Sequence, residues 1–324
     1  MHLPSYLSAA IKELTPHAGA SRVAAASRQL TQRYKNAEFT APAVRSPADR
    51  SAYLAARFPA TFAANVHVFS ELSRRAAQVE ISSLLDLGAG PGTSLFAAAE
   101  IISDLRQATL LEADPQWMQF GKQLTAQSPL PAVREAHWLK GDLRNPGELR
   151  PHDAVVISYA LGELAPSELE QLVRRAWVWA KKFLILIEPG TKRGFAAINA
   201  ARRLLIAQQA RILAPCPHHD VCPMAAARDW CHFSQRLERT SQHRRIKGGS
   251  LGYEDEKFSY LIATRLELPP AQARIVRHPR KHSGHVQLEL CTENGRLERR
   301  SVSRSNKGVY KLARQAEWGD AWNE

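Results

Sequence analysis

The feature that most constrains the fold of this chain is a glycine-rich turn between an apolar strand and a helix. In the run LLDLGAGPGTS, Asp86 is followed by Gly88, Gly90 and Gly92, and Thr93 begins a helical pattern. Glycine allows the main chain to turn sharply and allows a cofactor to approach it closely. The run therefore predicts a cofactor-binding turn at the end of a strand, where open α/β sheets bind their ligands.

Residues 81–190 extend this pattern into an alternation of strands and helices. The runs with strand character are SSLLDLG, QATLLEAD, AHWLKGD, DAVVISYAL and KKFLILIEPG. The amphipathic runs between them are TSLFAAAEIISDL, PQWMQFGKQLTAQ and PSELEQLVRRAWVWA. Such alternation predicts an α/β fold with a doubly wound parallel sheet.

The segments on either side of this core have different patterns. Residues 1–80 have helix-type apolar spacing with a break predicted at Pro59. From about residue 262 polar and apolar residues alternate, and the tripeptide ENG at 293–295 is typical of a hairpin turn. We therefore divide the chain into N-terminal helices (1–80), a cofactor-binding core (81–210) and a cysteine segment with a small basic β unit (211–324).

The order of residues in the turn distinguishes it from a dinucleotide-binding fingerprint. An acid precedes the first glycine, and Pro91 lies inside the loop. This Asp-x-Gly-x-Gly-x-Gly pattern resembles the first motif of class I S-adenosylmethionine-dependent methyltransferases. S-adenosylmethionine has no phosphates, so a phosphate cradle at a helix N-terminus is not needed. The methyltransferase pattern implies that the loop holds the amino-acid moiety of the cofactor.

Two acids lie at the spacing that this pattern expects. Glu112 lies twenty residues after Gly92 and is the candidate acceptor for the ribose hydroxyls, with Asp114 as the second candidate. Asp142, in LKGDLRN, matches the acid that contacts the adenine end after the third strand. A helix cap or a turn residue is the structural alternative for each acid alone.

The end of the fourth predicted strand supplies the candidates nearest to a methyl acceptor. Ser158, Tyr159 and Glu163 follow the apolar run DAVVIS. Tyr159 and Glu163 are the candidate catalytic groups, and Ser158 is a candidate cofactor contact. A methyltransferase fold that has lost turnover is the alternative to an active enzyme.

Cysteine usage is the second informative feature. Cys216, Cys222 and Cys231 fall within sixteen residues, Cys291 follows sixty residues later, and there are no others. Four thiolates hold either zinc or an iron–sulfur cluster. The spacing is longer than zinc knuckles prefer, and proline after a ligand cysteine also occurs in iron–sulfur segments. The residues therefore favour iron–sulfur, with zinc as the alternative.

Such a metal site would have a structural role. A basic amphipathic helix over 193–211 leads into the cysteine segment, and Cys291 would tie that segment to the β unit. Buried or free cysteines are the alternative, which explains a cluster poorly. The candidate substitute ligands are His218, His219, His232 and His285.

The net charge of +13 is uneven along the chain. Residues 1–80 carry +5, residues 81–200 carry −1 and residues 201–324 carry +9. This favours a polyanionic partner, most plausibly nucleic acid, over a basic surface kept for solubility. A basic run beside the cysteines would contact phosphates or form a solvated helix face: Arg236, Arg239, Arg244, Arg245 and Lys247. Four aromatic residues would stack on bases or pack around the metal: Trp230, Phe233, Phe258 and Tyr260.

The sequence gives no indication of a membrane partner. No apolar run reaches the roughly 18 residues that a membrane span needs, and no signal-peptide core is evident at the N-terminus. We expect a reducing compartment, in which the cysteines would be metal ligands rather than disulfides.

Three segments after the DLGAGPGT loop carry a closer resemblance. APCPHHDVCP, DWCHFSQRLERT and YEDEKFSYL resemble the methyltransferase-like protein family of the mitochondrial ribosomal small subunit and its bacterial relatives, from about residue 40 to the closing WGDAW. The resemblance implies association with the small ribosomal subunit and its RNA during assembly. It also implies a [4Fe–4S] site whose ligands are Cys216, Cys222, Cys231 and Cys291.

The hypothesis from sequence is a methyltransferase-like protein that binds S-adenosylmethionine and acts on small-subunit ribosomal RNA or on subunit assembly. The alternative is a non-catalytic iron–sulfur assembly factor that keeps the fold. A methyltransferase for proteins or small molecules is less consistent with the basic flanks. A monomer is expected, in the cytoplasm of a bacterium or in the mitochondrial matrix of a eukaryote.

Overall fold

Two β-sheets organise the chain in the computed structural model, which describes residues 1–15, 20–36, 44, 46–239 and 251–323. In these ranges the strands of the first sheet are β1 (Ser83–Leu87), β2 (Gln107–Glu112), β3 (His137–Lys140), β4 (His152–Ser158), β5 (Ala180–Pro189), β6 (Arg211–Ala214), β7 (Phe233–Glu238) and β8 (Tyr253–Thr264). Those of the second sheet are β9 (Ala273–Ile275), β10 (Arg280–Lys281), β11 (His285–Thr292), β12 (Leu297–Ser303) and β13 (Ala321–Trp322).

Helices precede the first sheet, cover both of its faces and pack on the second. Within the described ranges they are α1 (Ser5–Leu14), α2 (Ala20–Asn36), α3 (Pro47–Ala52), α4 (Phe58–Arg75), α5 (Thr93–Ile101), α6 (Pro115–Ala126), α7 (Pro131–Arg134), α8 (Pro166–Trp179), α9 (Lys192–Ala207), α10 (Pro223–Ala226) and α11 (Lys307–Gln315). None of these helices is long and apolar enough to cross a bilayer.

The strand order of the first sheet confirms the predicted α/β class. The order is β3-β2-β1-β4-β5-β8-β6, and β7 pairs with the same edge of β8 as β6 does. Strands β1 to β5 are parallel, whereas β8 runs antiparallel to β5. The sheet is therefore mixed rather than wholly parallel.

In the parallel strands, successive side chains alternate between the two faces of the sheet, which explains why helices cover both faces. Leu84 and Val156 pack with apolar residues of α4, α5 and α6 on one face. Leu85 and Val155 pack with α8 and α9 on the other. Because successive side chains of a strand point to opposite faces, a strand apolar at every position requires a helical layer on each side.

The first sheet continues past residue 210, where the cofactor-binding core was predicted to end. Strands β6, β7 and β8 all come from the segment 211–324, which was predicted to form the cysteine region and a separate β unit. Every residue from Phe258 to Thr264 is buried because β8 lies between β5 and β6. The predicted basic β unit is the second sheet, and its hairpin turn at 293–295 joins β11 to β12 as expected.

A π-helical turn, Tyr53–Arg57, lies next to the predicted break at Pro59. It joins α3 directly to α4, and Pro59 occupies the first turn of α4. Proline is tolerated there because the first-turn N–H groups have no intrahelical acceptor. Pro59 therefore lies at the start of a helix, and the irregularity precedes it.

Arg274 of β9 connects the two sheets. Its guanidinium is 1% exposed and donates to Glu71 Oε1 of α4 at 2.7 Å. It also donates to the carbonyl oxygens of Pro215 at 2.9 Å and Gly319 at 2.8 Å. The buried charge is thus both paired and hydrogen-bonded, which is the condition for burying it.

We expect Glu71→Gln to lower the free energy of unfolding by about 3 kcal/mol, because it leaves the buried Arg274 charge without a counter-ion. Urea denaturation measures the change. Glu80→Gln is the matched control, since Glu80 pairs with Arg106 at the surface and should contribute less than about 1 kcal/mol. Equal losses in the two variants would contradict the assignment.

Candidate functional site

The glycine turn lies at the carboxyl end of β1 and leads into α5. Gly88, Gly90 and Gly92 have φ angles of 75°, 55° and 87°, all in the left-handed region that favours glycine. A Cβ at Gly88 would meet Leu143 Cδ1 at 3.0 Å and Ala160 Cβ at 3.1 Å, whereas one at Gly90 would meet nothing within 4 Å. The turn is therefore packed at its base and open at Gly90.

Glu112, at the end of β2, fixes the open part of the turn. Its Oε2 accepts from the Gly90 amide at 2.7 Å, and its Oε1 accepts from the Asp114 amide at 2.8 Å. Burial raises the pKa of Glu112, although these backbone donors oppose the shift. Each carboxylate oxygen can accept a further hydrogen bond. Glu112 is therefore positioned both to hold the turn and to accept from a ligand beside it.

Asp86 lies beneath the turn with an unsatisfied oxygen. The side chain is 1% exposed, and Oδ2 has no hydrogen-bond partner among the described residues. Burial, together with the nearby charge of Glu112, raises the pKa of Asp86 to about 8. A buried acceptor without a partner is uncommon in native proteins. It marks a place where a donor from a ligand or a water fits.

The other two acids of the predicted cofactor set have local roles. Asp114 caps α6 by accepting from the Gln116 amide at 2.8 Å, and it pairs with Arg50 at 2.6 Å. Asp142 lies in the turn after β3, where its half-exposed side chain accepts from the Arg144 amide at 2.8 Å. Asp114 is thus less available to a ligand than Glu112, and Oδ2 of Asp142 has no hydrogen bond or ion pair to any residue that the structure describes.

The residues after β4 are held by neighbouring helices and strands. Ser158 Oγ accepts from Asn65 Nδ2 of α4 at 2.9 Å. Tyr159 has a φ of 58° and donates from its hydroxyl to Glu256 Oε1 of β8 at 3.0 Å. Arg57 holds the same carboxylate with two bonds of 3.3 Å. Both hydroxyls at this strand end are therefore engaged within the protein.

Glu163 differs from these two because its side chain remains exposed. It ends the 3₁₀ turn Leu161–Glu163 at the same edge of the sheet. The surrounding protein and the charge of Glu112 raise the pKa of Glu163, which Arg144 and Arg193 oppose. It is the candidate catalytic carboxylate with access to an incoming group.

Two buried polar residues beside these groups, Asn65 and Glu188, were not predicted from the sequence. Asn65 is fully buried on an apolar stretch of α4, and its Oδ1 has no partner among the described residues. Glu188, the penultimate residue of β5, accepts from the Leu161 amide at 2.8 Å and has a pKa raised to about 8 by burial. An acid ending an apolar strand, as in LILIEPG, was the available signal.

The structure brings all four cysteines around one cavity. Cys216 follows β6, Cys222 is the N-cap residue of α10, Cys231 precedes β7 and Cys291 lies in β11. Because β6 and β7 share one edge of β8, the loop between them returns its two ends to neighbouring positions. Burial raises the pKa of the Cys216, Cys231 and Cys291 thiols, and mutual repulsion between the thiolates adds to the shift.

Two buried arginines line the same cavity. Arg202 of α9 donates to the carbonyl oxygens of Asp220 at 2.9 Å and His218 at 2.8 Å. Arg274 lines the cavity from the opposite sheet. Their charges oppose the rise in the pKa of Cys216 and Cys291. Permanent cations of this kind offset the negative charge of a tetrathiolate site.

The histidines named as substitute ligands are placed differently from one another. His218 Nε2 lies 3.4 Å from Cys291 Sγ, and His219 Nε2 accepts from the Ile212 amide at 2.9 Å. His232 stacks on Trp230, and His285 stacks on His282 in the second sheet. In the described part of the chain, no three or more His, Cys, Asp or Glu side chains are arranged to hold a metal ion.

The basic run beside the cysteines forms no helix where it is described. Arg236 lies in β7, pairs with Asp255 at 2.8 Å and covers the Tyr253 ring at 4.1 Å. Arg239 pairs with Glu254 at 3.2 Å. The prediction of a solvated helix face is wrong for these two, because antiparallel pairing with the acids of β8 neutralises them. The other three members, Arg244, Arg245 and Lys247, lie outside the described residues.

Three of the four aromatic residues for which base stacking and core packing are the alternatives belong to the core. Phe233, Phe258 and Tyr260 are at most 1% exposed and pack on one another between α4 and the sheet. Trp230 is half-buried and donates from Nε1 to Gly190 O at 3.1 Å. Of these residues, only Trp230 keeps a ring surface near solvent.

Comparison with known proteins identifies relatives of this chain. The sequence profile of the family described as "Mitochondrial small ribosomal subunit Rsm22" matches residues 47–323. The human protein "Ribosome assembly protein METTL17, mitochondrial" is 28% identical over 293 residues, which cover 83% of this chain and 61% of that protein. "Rsm22-cox11 tandem protein 2, mitochondrial" of Schizosaccharomyces pombe is 27% identical over 325 residues, covering 83% and 42%.

This chain therefore spans less than two thirds of the length of these curated relatives. A solved structure with a related arrangement is magnesium protoporphyrin IX methyltransferase from Synechocystis PCC 6803 with bound S-adenosylhomocysteine. It superposes with a TM-score of 0.42 at 13% identity, covering 64% of this chain and 84% of that chain.

We expect Asp86→Asn to stabilise the ligand-free protein at pH 8 relative to the wild type, and to do so less at pH 5. The raised pKa means that folding favours the protonated carboxyl. Its contribution to stability is full below the unfolded pKa of about 4 and is lost as the pH rises to about 8. Asparagine has no such titration. Thermal unfolding at both pH values measures the difference, and a pH-independent difference would contradict the assignment.

Proposed function

The chain belongs to the family of the mitochondrial small ribosomal subunit protein Rsm22, and from this membership we propose that it binds S-adenosylmethionine and acts in the assembly of the small ribosomal subunit. The geometry of the glycine turn, with Glu112 across it, carries the cofactor part of the proposal. The human relative, named a ribosome assembly protein, supports the ribosomal part.

The residues at the turn fit S-adenosylmethionine. Gly90 leaves open space where the main chain would face a ligand, and Glu112 has acceptor capacity for ribose hydroxyls. The unsatisfied Asp86 oxygen fits a donor such as the cofactor's ammonium group. Thr93 begins α5 directly behind the turn, and Asp142 and Ser158 lie at the ends of β3 and β4. When bound, the cofactor supplies a methyl group on a sulfonium.

Methyl transfer is the second part of the proposal, and Glu163 is its main candidate group. Glu163 is the exposed carboxylate near Glu112, so it could accept a proton from an acceptor oriented at this strand end. Tyr159 is the weaker candidate because its hydroxyl already donates to Glu256. That engagement supports the alternative of an assembly factor that binds the cofactor without turnover.

The four thiols fit a [4Fe–4S] cluster. They all line one cavity between the two sheets, with two buried arginines beside them. Zinc requires four donors about 2.3 Å from a single point, whereas in a cluster each thiolate binds a different iron and the donors lie farther apart. The six-residue spacing between Cys216 and Cys222 is longer than zinc knuckles prefer, so we propose the cluster, with zinc as the alternative. Its role would be structural, because Cys291 belongs to the second sheet.

The partner in this proposal is the small ribosomal subunit, with its RNA as the polyanion that the basic chain would contact. The protein would be located where the subunit is assembled. This is the mitochondrial matrix if the chain is eukaryotic, since the names of its curated relatives include the word mitochondrial, and the cytoplasm if it is bacterial.

Sedimentation of ribosomal particles from cells lacking the protein tests the assembly role. We expect immature small subunits to accumulate and the wild-type chain to restore them. Transfer of a labelled methyl group to isolated small subunits separates the enzyme from the non-catalytic factor. Normal subunit profiles in the deletion strain would overturn the assembly proposal.

We expect Gly90→Arg to abolish S-adenosylmethionine binding measured by calorimetry, because an arginine would fill the open space at the turn. Gly147→Arg is the matched control, since Gly147 also has a positive φ of 72° and nothing within 4 Å. Both substitutions cost similar backbone strain. Equal loss of binding would show that strain rather than the site is responsible.

We expect anaerobically purified protein to contain about four irons per chain and to absorb broadly near 400 nm. Cys231→Ser should lose iron and lower the melting temperature, because the site ties β7 to the second sheet. His218→Gln should keep the iron, since four thiols complete the ligand set. A content of one zinc per chain would support zinc, the alternative metal, instead of the cluster. The absence of any metal would contradict the proposal of a metal site.

A further inference from the structure

Helix α11 presents two chemically different faces. Ala313 is fully buried, and Val309 and Tyr310 are half-buried against Val286 and Leu288 of the second sheet. The opposite face carries Lys307, Lys311 and Arg314, all exposed. These three residues occur at intervals of four and three, so they form one row along the helix. We refer to them as the α11 cation row.

The row has no acidic partner. None of its side chains makes an ion pair or hydrogen bond with any residue in the described ranges. Most basic residues of the preceding hairpin are different: Arg300 pairs with Glu298 at 3.3 Å, and Arg299 lies 3.8 Å from Glu289. Arg304, in the turn before α11, is also exposed and its side chain is unpaired within that part of the structure. Four neighbouring cations are thus left without compensation.

The positions of Lys307 and Lys311 disfavour helix stability, whereas Arg314, in the last turn, suits the helix dipole. Lys307 is the first residue of α11, where the helix dipole repels a cation, and the Asn306 side chain makes no cap hydrogen bond. Lys307 with Lys311, and Lys311 with Arg314, are like-charge pairs at helix-neighbour spacing. Helix stability therefore does not account for the row, which is consistent with a role in binding.

We propose that the α11 cation row binds the phosphate backbone of RNA. Unpaired cations in a line match a polyanion whose charges repeat along a strand. A membrane surface would require an exposed apolar face, whereas the apolar face of α11 is buried on the sheet. A protein partner would require an apolar or aromatic centre, whereas Leu312 is the one large apolar side chain exposed on the described α11.

This inference deepens the proposed function, and it rests on that proposal only for the identity of the RNA. It assigns contact with the subunit to a helix on the second sheet, away from the glycine turn. Contacts to phosphates carry no base information. Binding through the row should therefore depend strongly on salt and weakly on sequence.

The test uses the full-length metal-loaded chain and fluorescence titrations with a labelled RNA hairpin and labelled polyuridylate. We expect Lys307→Glu/Lys311→Glu to weaken binding of both probes about tenfold at moderate salt. The slope of log affinity against log salt between about 50 and 200 mM should fall by about 1.5, from two lost phosphate contacts. The variant should melt no earlier than the wild type, because an acid at the start of α11 suits the helix dipole.

Arg174→Glu/Arg175→Glu is the matched control. Both arginines are exposed and unpaired on α8, within the part of the chain that the structure describes, and this variant has the same change in net charge. Equal losses in the two variants, or no loss in the α11 variant, would overturn the proposal. The proposal would also be overturned if the wild type bound polyglutamate, or phosphatidylserine–phosphatidylcholine vesicles, with the same affinity as it binds RNA.

Co-sedimentation with small subunits from cell extract is measured in parallel. If the wild type co-sediments and the α11 variant binds RNA normally, the proposal that the α11 cation row binds RNA is wrong and the proposed function stands. If the wild type binds RNA through the α11 cation row but does not co-sediment, the proposal of RNA binding by the row stands and the proposed ribosomal function fails.

Discussion

The buried guanidinium of Arg274 is the interaction on which the arrangement of this protein depends. It joins α4 of the first sheet through Glu71, the approach to Cys216 through Pro215, and the end of the chain through Gly319. Burying such a charge is favourable only when all of these partners are in place. The two sheets and the cysteine loop are therefore held in one relative position, and the thiol cavity exists only in that arrangement.

Strand β8 places the two candidate sites on one rigid element. Glu256 accepts from Tyr159 beside the cofactor turn, and Ser259, three residues later, donates to Cys231 O at 2.8 Å. Strand β8 is hydrogen-bonded along both edges, so it connects the two candidate sites through one short backbone segment. The family resemblance around YEDEKFSYL thus falls on the segment that connects the two sites.

The corrected expectations share one physical cause. Arg236 and Arg239 looked like a free basic run, but β8 aligns Asp255 and Glu254 beside them. For Phe233 and Phe258 the sequence leaves base stacking and core packing as alternatives, and antiparallel pairing turns both side chains into the core. Residues distant in sequence decide both outcomes. The α11 cation row could not be recognised in advance for the same reason, since only packing reveals which cations lack partners.

The sequence by itself determined the α/β class, the glycine turn and the acids Asp86 and Glu112, because strand and helix periodicity and the need for positive φ are local properties. It also determined that four thiols are available. Only the tertiary structure decided that β6 to β8 extend the first sheet, that Asn65 and Glu188 contact the end of β4 and the turn after it, and that Cys291 faces the cysteine loop from the second sheet. These features depend on pairing between strands that are far apart in the sequence. The free energy of the whole fold selects that pairing, whereas the local residue pattern does not determine it.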